Sequence, residues 1–337
     1  MKIQQNISLK PYNTFGIDVQ AKQFVSVSSI EDLISVFKAY KEEAKLILGG
    51  GSNMLLTKPF DGLVIHLNIK GKSVVFEDKD FVHIKGFAGE NWHEFVLWCI
   101  DQNYGGIENL SLIPGNLGSA PIQNIGAYGV ELKDVFISCE VLDTRDLTEK
   151  TLESQNCNFG YRDSIFKQEE KGNFIILSVT LKLSKSNHIL HTSYGAISEE
   201  LQNLEIDRPT IKDVSNAVIN IRRSKLPDPK EIGNSGSFFK NPVIELEHFE
   251  TLKKIFPDIP YYPVSEKEVK IPAGWLIEKT GFKGKTLRNY GVHKKQALVL
   301  VNYGGAEGND ILQLAKLIQK TIIKIFGIEI ETEVNIL

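Results

Sequence analysis

The order of apolar and polar residues predicts a chain in which short strands and amphipathic helices alternate. Residues 23–27 favour a strand, and residues 46–48 favour a short buried one. Between them, apolar residues recur on one helical face between residues 30 and 37, and Ser29 stands where a helix cap belongs. This part of the chain is therefore predicted to fold as strand, helix, strand.

The same patterns continue through the rest of the chain and show no internal repeat. Thr210 and Asp213 are spaced as a reciprocal helix cap, and Gly327 stands where a long C-terminal helix would stop. Further helices are predicted at residues 90–103, 211–223, 247–256, 273–279 and 310–326. Further strands are predicted at residues 74–76, 82–85, 135–142, 174–183, 297–301 and 328–336.

Length and composition are those of a globular protein with two or three domains. The 337 residues are 42% hydrophobic and 24% charged, and the net charge of −3 argues against a nucleic-acid-binding protein. Cys99, Cys139 and Cys157 lie far apart with no Cys-x-x-Cys pair, which favours free buried thiols in a reducing compartment. Because neither a signal peptide nor an apolar run of membrane-spanning length is found, we expect a cytoplasmic protein.

The first glycine-rich turn, Gly49-Gly50-Gly51-Ser52-Asn53, follows the predicted strand at residues 46–48. Successive backbone N–H groups in such a turn can surround a phosphate or pyrophosphate. No Gly-Lys-Ser/Thr follows it, and no G-x-G-x-x-G opens a helix anywhere in the chain, so P-loop and Rossmann sites are excluded. A plain tight turn remains the alternative.

The second glycine-rich stretch, residues 112–129, reads LIPGNLGSAPIQNIGAYG. It is long and neutral, and a long loop within a compact domain is usually functional. Its amide and hydroxyl groups, together with bare backbone, suit the edge of a flat, hydrogen-bonding ring system better than a metal or a cation.

A third stretch, residues 224–242, reads SKLPDPKEIGNSGSFFKNP and follows the predicted helix at residues 211–223. Pro227 and Pro229 end that helix, whereas Gly233 and Gly236 free the backbone. Ser237 follows as a small hydroxyl, and the stretch is predicted to form a loop with a catalytic centre. A flexible surface turn is the alternative, because Gly, Asn and Ser are ordinary loop residues.

Two common kinds of site are not indicated by the sequence. The seven histidines include no H-E-x-x-H pair and no facial-triad spacing, so we expect no metal. Ser237 lacks a G-x-S-x-G elbow, which argues against a hydrolase triad.

Six motifs occur in an order that is highly specific when they are taken together: PYNTFGID, GGGSN, IPGNLGSAPIQNIGAYG, YRDSIFK, KLPDPK and GNSGSFFKNP. On these motifs the chain resembles the UDP-N-acetylenolpyruvoylglucosamine reductase family over nearly its whole length. The segment between Lys167 and Arg222, which contains Ser193-Tyr194-Gly195, resembles the family's type I members.

The resemblance implies an α+β fold. It would consist of a vanillyl-alcohol-oxidase (PCMH-type) FAD-binding domain in two lobes and a C-terminal α+β substrate-binding domain. The lobes would be residues 1–70 and 71–215, with the PCMH-type region at about residues 16–186 and the type I insertion at about residues 186–210. Residues 216–337 would form the substrate-binding domain.

The resemblance also implies the reaction and its ligands. NADPH would reduce a non-covalent FAD, which would reduce the enolpyruvyl ether of a UDP-sugar to give UDP-N-acetylmuramate for peptidoglycan synthesis. We expect a monomer with no nucleic-acid or membrane partner. The cofactor-binding residues would be Tyr12, Asn13, Thr14, Gly49, Gly50, Gly51, Ser52, Asn53, Pro114, Gly115, Gly118, Ser119, Ala120, Gln123, Asn124, Gly126, Ala127, Tyr128 and Gly129. The substrate-binding residues would be Tyr161, Tyr194, Lys225, Asn241 and Gln296.

Three residues match the family's catalytic positions. Arg162 would hold the pyruvyl carboxylate and oxygen, because a guanidinium group stabilises an oxyanion most where water is excluded. Ser237 would protonate the second carbon of the enolate. Glu333, protonated in a dry site, would donate a hydrogen bond to the enol oxygen.

From the pattern alone, each role has an alternative. Arg162 could form a surface ion pair, and Glu333 could be solvated like Glu329 and Glu331 on the polar face of the last predicted strand. The family usually has arginine two residues after this glutamate, where the chain has Asn335. For the whole chain, the alternatives are an FAD-dependent sugar or alcohol oxidase of the same fold, and a non-catalytic nucleotide-sugar-binding or flavin-binding protein.

Overall fold

The computed structural model describes residues 2–337, and the chain divides into two units that are each built from separate stretches. Unit one comprises residues 2–7, Ala21–Gly50 and Asp61–Ser224. Unit two comprises Ser8–Gln20, Gly51–Phe60 and Lys225–Leu337. Unit two thus combines two short stretches from early in the sequence with its last third.

The described residues contain seven α-helices. Labelled α1 to α7, they span Ile30–Ala39, Trp92–Asp101, Gly195–Asn203, Ile211–Lys225, Leu246–Ile255, Ala273–Lys279 and Gly308–Phe326. The predicted caps are confirmed: Ser29 Oγ accepts the Asp32 N–H at 3.1 Å before α1. Before α4, the Thr210 N–H donates to Asp213 Oδ2 at 2.8 Å, and the Asp213 N–H donates to Thr210 Oγ1 at 3.3 Å. Gly327, with φ of +66°, ends α7 in the left-handed conformation.

The same residues contain nineteen strands, many of them short. Labelled β1 to β19, they span Gln4–Ser8, Gln20–Val27, Lys45–Leu48, Met54–Leu55, Phe60–Leu67, Lys72–Glu77, Phe81–Phe87, Gly126–Ala127, Val130–Glu131, Phe136–Asp143, Glu149–Glu153, Phe174–Ser184, Val243–Glu245, Tyr262–Pro263, Glu268–Lys270, Thr286–Leu287, Tyr290–Val292, Leu300–Asn302 and Asn335–Ile336.

Unit one is built on two sheets. The first has the order β1-β2-β5-β3, with β3 parallel to β5, and α1 covers it with its apolar face, which includes Leu33 and Val36. The second has the order β11-β10-β12-β7-β6, and each neighbouring pair is antiparallel. Helix α2 buries Trp92 and Phe95 in the core of this second sheet. The glycine-rich stretch at residues 112–129 belongs to this second part of unit one.

Unit two contains two three-stranded sheets, with the orders β13-β15-β14 and β16-β17-β18, and β19 pairs in parallel with β4. Helix α7 is amphipathic over 19 residues and buries Ile311, Ile318 and Ile322. Because β4 belongs to the stretch Gly51–Phe60, the end of the chain completes a pairing that begins early in the sequence.

The predicted strand at residues 328–336 is wrong as a continuous element, since only Asn335–Ile336 forms a strand there. Apolar residues such as Ile330 and Val334 are buried as the alternation predicts. The backbone partner changes along the segment, however. Glu333 donates its N–H to Phe238 O at 2.8 Å, whereas β19 pairs with β4. The alternation of apolar and polar residues predicts which side chains are buried, but it does not predict which neighbouring segment pairs with the backbone.

Candidate active site

The predicted catalytic loop at residues 224–242 is held by backbone contacts within unit two. Gly233 and Asn302 exchange two backbone hydrogen bonds of 3.0 and 2.8 Å, and Asn302 Nδ2 donates to Phe15 O at 2.8 Å. A Cβ atom on Gly233 would lie 2.2 Å from Phe15 O, so no larger residue fits without movement of the backbone. This part of the loop is packed and hydrogen-bonded, unlike a free surface turn.

The next two residues connect the loop to two other sequence motifs. Asn234 donates its N–H to Thr14 O at 2.9 Å, and its Oδ1 accepts the Gly236 N–H at 3.0 Å. Ser235 Oγ donates to Met54 O at 3.2 Å. The PYNTFGID motif, Met54 directly after the GGGSN motif, and the GNSGSFFKNP motif therefore meet in unit two, although they are far apart in the sequence.

The GGGSN turn includes one residue with a left-handed backbone. Gly51 has a φ of +58°, a conformation that occurs in anion-binding nests of successive N–H groups. A Cβ atom on Gly51 would lie 2.0 Å from Tyr12 O, so glycine is required here. Among residues 2–337, the N–H groups of Gly50 and Gly51 donate to no protein acceptor. These groups fit a phosphate of a bound dinucleotide.

Ser237 and Glu333 lie on neighbouring backbone segments of unit two. Ser237 pairs with Val299, and the residue after it, Phe238, accepts the Glu333 N–H at 2.8 Å. Glu333 is half-buried, whereas Glu331 is exposed. The structure therefore brings two of the three predicted catalytic residues together and distinguishes Glu333 from its solvated neighbour.

The predicted substrate residues of unit two include two amides that the backbone orients. Asn241 Oδ1 accepts the Ala273 N–H at 2.9 Å at the start of α6, and Gln296 Oε1 accepts the Leu298 N–H at 3.3 Å. In each case the carbonyl oxygen is engaged, so the amide NH₂ faces away as a hydrogen-bond donor. Lys225 is exposed at the end of α4.

In unit one, the long glycine-rich loop folds as two short 3₁₀ turns followed by the β8–β9 hairpin. Gly118 packs so closely that a Cβ atom on it would lie 2.4 Å from Ala88 Cβ. Asn124 is fully buried with a φ of +41°. Its Nδ2 donates to Gly160 O at 3.0 Å, and its Oδ1 accepts the Lys133 N–H at 3.0 Å. Asn124 thus fixes the loop against the turn that follows Gly160.

Arg162 lies in that tight turn, which Gly160 and Asp163 close with backbone hydrogen bonds of 3.0 and 3.3 Å. Its φ of +55° is uncommon for a residue other than glycine, so the surroundings must hold it in this conformation. Arg162 Nη2 donates to Gly126 O at 2.6 Å, and the guanidinium lies 5.7 Å from the centre of the Tyr161 ring. The turn therefore brings this charged group to the glycine-rich loop.

Tyr194 is 52% exposed and packs edge-on against Tyr128, with ring centroids 5.4 Å apart. The Arg222 guanidinium lies close enough to the Tyr128 hydroxyl to interact with it. Burial raises the pKa of Tyr128, and the nearby Arg222 charge opposes this rise. Arg222 was not among the predicted site residues. It lies four residues after the buried Val218 on α4.

Several other predictions concern ligands, thiols and membranes. Cys99, Cys139 and Cys157 are free and buried, as predicted. Across residues 2–337, no group of three or more His, Cys, Asp or Glu side chains is placed to hold a metal ion. No helix in that part of the chain is long and apolar enough to cross a membrane.

Two family profiles match separate parts of the chain. The profile for an FAD binding domain matches residues 21–150. The profile for the C-terminal domain of UDP-N-acetylenolpyruvoylglucosamine reductase matches residues 228–337. The FAD cofactor predicted from the motifs is therefore confirmed.

Relatives match over the full length. UDP-N-acetylenolpyruvoylglucosamine reductase of Flavobacterium johnsoniae is 60% identical over 337 residues, with 100% of both chains covered. The reductase of Pseudomonas aeruginosa is 46% identical over 338 residues, with 100% of this chain and 99% of that protein covered. The crystal structure of the Thermus caldophilus reductase superposes with a TM-score of 0.69 at 23% identity, covering 100% of this chain and 99% of that one. The predicted α+β fold class, with an FAD-binding domain and a C-terminal domain, is confirmed.

Proposed function

This chain belongs to the UDP-N-acetylenolpyruvoylglucosamine reductase family and is an FAD-dependent oxidoreductase, and we propose that it reduces UDP-N-acetylglucosamine enolpyruvate to UDP-N-acetylmuramate. NADPH is the reductant, and the product serves peptidoglycan precursor synthesis. The family membership predicted from the six motifs is thus confirmed, and the type I subgroup stays a prediction.

The observation that carries this proposal is the hydrogen bond between the Glu333 and Phe238 backbones, which places Ser237 and Glu333 on adjacent segments. An enolate that must gain a proton needs an acid near its carbon and a hydrogen-bond donor near its oxygen. Ser237 delivers the proton from its hydroxyl to the second carbon of the enolpyruvyl group. Serine is a weak acid, but an enolate carbon is basic enough to take its proton when the geometry is right.

Glu333 acts in its protonated form and donates a hydrogen bond to the enol oxygen. A carboxyl group stays protonated near neutral pH only where burial disfavours its charge, so closure over the substrate has to exclude water. The half-buried position of Glu333, beside the exposed Glu331, supports this role.

Arg162 holds the pyruvyl carboxylate and the developing oxyanion. Its guanidinium is already anchored at Nη2 by Gly126 O, and such anchoring reduces the reorganisation needed when charge develops. The left-handed backbone at Arg162 is a further sign that this position serves a site.

FAD, when bound, supplies the hydride that reaches the terminal carbon of the enolpyruvyl group. The residues that would hold it are the GGGSN turn, the segment Tyr12 to Thr14 and the loop at residues 114–129. The free N–H groups of Gly50 and Gly51 would face its phosphates, and the amide-rich loop would face its ring. No histidine or cysteine occurs in either glycine-rich loop, which supports a non-covalent cofactor.

The nucleotide-sugar would be bound by Tyr161, Tyr194, Lys225, Asn241 and Gln296. The exposed lysine suits a pyrophosphate, and the two oriented amides suit hydroxyl or carbonyl acceptors. We assign FAD binding to lobes at residues 1–70 and 71–215, and substrate binding to residues 216–337. A cytoplasmic monomer fits substrates that are themselves cytoplasmic nucleotides.

An anaerobic visible spectrum of the purified protein tests the proposal. We expect bound oxidised flavin, loss of its absorbance with NADPH, and recovery of the absorbance with UDP-N-acetylglucosamine enolpyruvate. Recovery only with oxygen would support a sugar or alcohol oxidase instead. Absence of any reaction with NADPH or the sugar, despite bound FAD, would support a non-catalytic binding protein.

A further inference from the structure

Asn109 lies on a short turn that is fixed to the core of unit one. The 3₁₀ turn Glu108–Leu110 is buried, and Leu110 packs in the core of the second sheet. The carbonyl oxygen of Leu110 also accepts the Trp92 Nε1–H at 2.8 Å. Asn109 itself is 1% exposed, so its side chain starts from a fixed position inside the protein.

The amide group of Asn109 joins two segments that are far apart in the sequence. Its Nδ2 donates to Tyr128 O at 3.0 Å and to His191 O at 2.8 Å. Tyr128 belongs to the glycine-rich loop at residues 112–129, whereas His191 lies between β12 and α3. The two acceptors also fix the orientation of the amide, because the opposite orientation would place Oδ1 against two carbonyl oxygens.

The oxygen of the same amide has no partner. Within the described residues 2–337, Asn109 Oδ1 is buried and accepts no hydrogen bond. Burying an unpaired carbonyl oxygen costs free energy, and a leucine side chain of similar size would avoid this cost. A leucine would not supply the two N–H donors, however. The presence of asparagine is therefore explained by the two carbonyl groups that it joins.

The first of these carbonyl groups belongs to a strained residue. Ala127 pairs with Val130, and the two residues between them, Tyr128 and Gly129, have φ values of +50° and +83°. A turn with this backbone favours Asn, Asp or Gly at its first position, so an aromatic residue is unfavourable there. Such a residue keeps a positive φ only where its surroundings hold it, and the bond from Asn109 is part of those surroundings.

The second carbonyl group belongs to a segment with few attachments. Residues 189–193 form neither helix nor strand, and His191 is exposed. Across residues 2–337, two hydrogen bonds hold this segment: the bond from Asn109 to His191 O, and a bond of 2.6 Å from Ser198 Oγ, in α3, to Thr192 O. Leu190 adds an apolar contact with the core of the second sheet. Asn109 is therefore the hydrogen-bonded link between this segment and that core.

The two segments meet a second time through their aromatic rings. The Tyr128 ring packs edge-on against the ring of Tyr194, which follows His191 by three residues. The carbonyl oxygen of Tyr194 accepts the Ile197 N–H at 2.8 Å at the start of α3. The position of Tyr194 thus depends on its own segment and on the Tyr128 ring, and Asn109 binds the backbone of both.

We propose that Asn109 is a positioning residue for the nucleotide-sugar. By holding Tyr128 O and His191 O together, it keeps Tyr194 in place to bind the substrate beside the cofactor loop. A tyrosine that is fixed before the substrate arrives loses less conformational entropy on binding. This inference deepens the proposed function and rests on it for the identity of the substrate and for the role of Tyr194.

The alternative is that Asn109 only stabilises the fold. Replacing it would then lower the Tm, while the folded holoenzyme would bind the sugar as tightly as the wild type. A positioning residue behaves differently, because its loss weakens binding through the residue that it positions. Substrate affinity, measured with and without Tyr194, therefore separates the two explanations.

The test compares Asn109→Leu with Asn220→Leu in the oxidised holoenzyme. Asn220 is exposed on α4 and donates to Glu200 Oε1 of α3 at 2.9 Å, so its replacement also removes an amide donor near α3 without affecting residues 189–193. For Asn109→Leu we expect the Kd of UDP-N-acetylglucosamine enolpyruvate, read from the flavin spectrum, to rise about tenfold, as for loss of one hydrogen bond. The kcat at saturating sugar should stay at the wild-type value, because only uniform binding is lost. Asn220→Leu should match the wild type in both quantities.

The double variant Asn109→Leu/Tyr194→Ala tests whether Asn109 acts through Tyr194. We expect its Kd to equal that of Tyr194→Ala alone. A further rise of about tenfold in the double variant would overturn the proposal, and so would a lower Tm of Asn109→Leu with an unchanged Kd. Asn109→Ser is a second variant in case the leucine prevents folding. Its short hydroxyl cannot bridge both carbonyl groups, so the same rise in Kd is expected.

Hydrogen exchange separates this inference from the proposed function. In the FAD-loaded protein without sugar, the amides of residues 191–194 should exchange about tenfold faster in Asn109→Leu than in the wild type or in Asn220→Leu. Equal rates in all three proteins would overturn the positioning role. If the wild type shows no binding of the sugar, the proposed function fails, and the exchange rates still decide whether Asn109 holds this segment.

Discussion

The side chain of Asn124 donates a hydrogen bond of 3.0 Å to the backbone carbonyl oxygen of Gly160. One residue of the glycine-rich loop thereby fixes the turn that carries Arg162. Asn124 also receives the Lys133 N–H and donates to Glu131 Oε2, so a single buried amide makes three hydrogen bonds. The conformation of the predicted oxyanion-binding arginine consequently depends on a residue outside its own motif.

Replacing Asn124 with alanine is expected to lower the free energy of unfolding of the apoprotein by about 2–4 kcal/mol, because buried partners lose their hydrogen bonds. Urea denaturation measures this loss. Asn187→Ala is the matched control, since Asn187 also has a positive φ, of +50°, but is exposed. Equal losses for the two variants would mean that backbone strain, and not the hydrogen bonds, accounts for the effect.

The Ser237→Ala variant is expected to separate the two halves of the reaction. NADPH should still reduce the flavin at the wild-type rate, whereas reduction of the enolpyruvyl sugar should fall by about 10²–10⁴-fold, the range for loss of a general acid. Stopped-flow absorbance follows both steps. Ser237→Cys, which keeps a proton donor at this position, should recover part of the rate. Undiminished sugar reduction by Ser237→Ala would assign the proton to another group.

The reductase activity is expected to decrease less when Glu333 is replaced by glutamine than when it is replaced by alanine. Glutamine keeps a neutral hydrogen-bond donor, so Glu333→Gln should lose about tenfold in kcat, and Glu333→Ala about 10²–10³-fold. Glu331→Gln is the control, because Glu331 is exposed in the same segment and pairs with Lys240 at 3.0 Å. If glutamine and alanine at position 333 are equally inactive, the role requires the carboxyl group itself.

The environment of His93 leads us to expect that the folded protein becomes less stable as the pH falls. Its Nδ1 accepts the Leu112 N–H at 3.0 Å, and burial, followed by the nearby Arg223 and Arg222 charges, lowers its pKa. Because the pKa of His93 is lower in the folded protein than in the unfolded chain, the unfolded chain binds more protons than the folded protein as the pH falls below about 6.5. The free energy of unfolding therefore decreases in this pH range. His66 and His293 act in the same direction, because burial also lowers their pKa values.

The His93→Asn variant isolates the contribution of His93, since an amide oxygen can accept the Leu112 N–H without titrating. Its unfolding free energy should decline less than that of the wild type between about pH 7.5 and pH 5.5. Chemical denaturation at several pH values measures both declines. Identical declines would show that His93 is not protonated differently in the folded and unfolded chains.

Elements whose signals are local could be predicted from the sequence. Ser29, Thr210 and Gly327 act on residues within one helical turn, and their caps form as the sequence predicts. The six motifs also predicted the family and the cofactor. The proposed roles of individual residues remain predictions that the variants above test.

Features that depend on distant residues could not be predicted. Gly233 must be small because Phe15 O approaches it, and Arg222 lies near Tyr128, which comes from a different loop. Neither relationship leaves a periodic pattern in the sequence. The segment at residues 328–336 shows the same limit, because its alternation of apolar residues gives no information about its changing backbone partners.

Unit two is assembled from three separate stretches of the chain, which affects both its folding during synthesis and the design of fragments. A ribosome releases Ser8–Gln20 and Gly51–Phe60 long before Lys225–Leu337, so β4 emerges without β19 to pair with. The pairing of β4 with β19 can therefore form only after the carboxyl terminus has been synthesised. A truncated gene that encodes only residues 225–337 would lack Leu56, against which Gly308 packs. Any autonomous fragment of this unit has to carry its N-terminal pieces, for example through circular permutation.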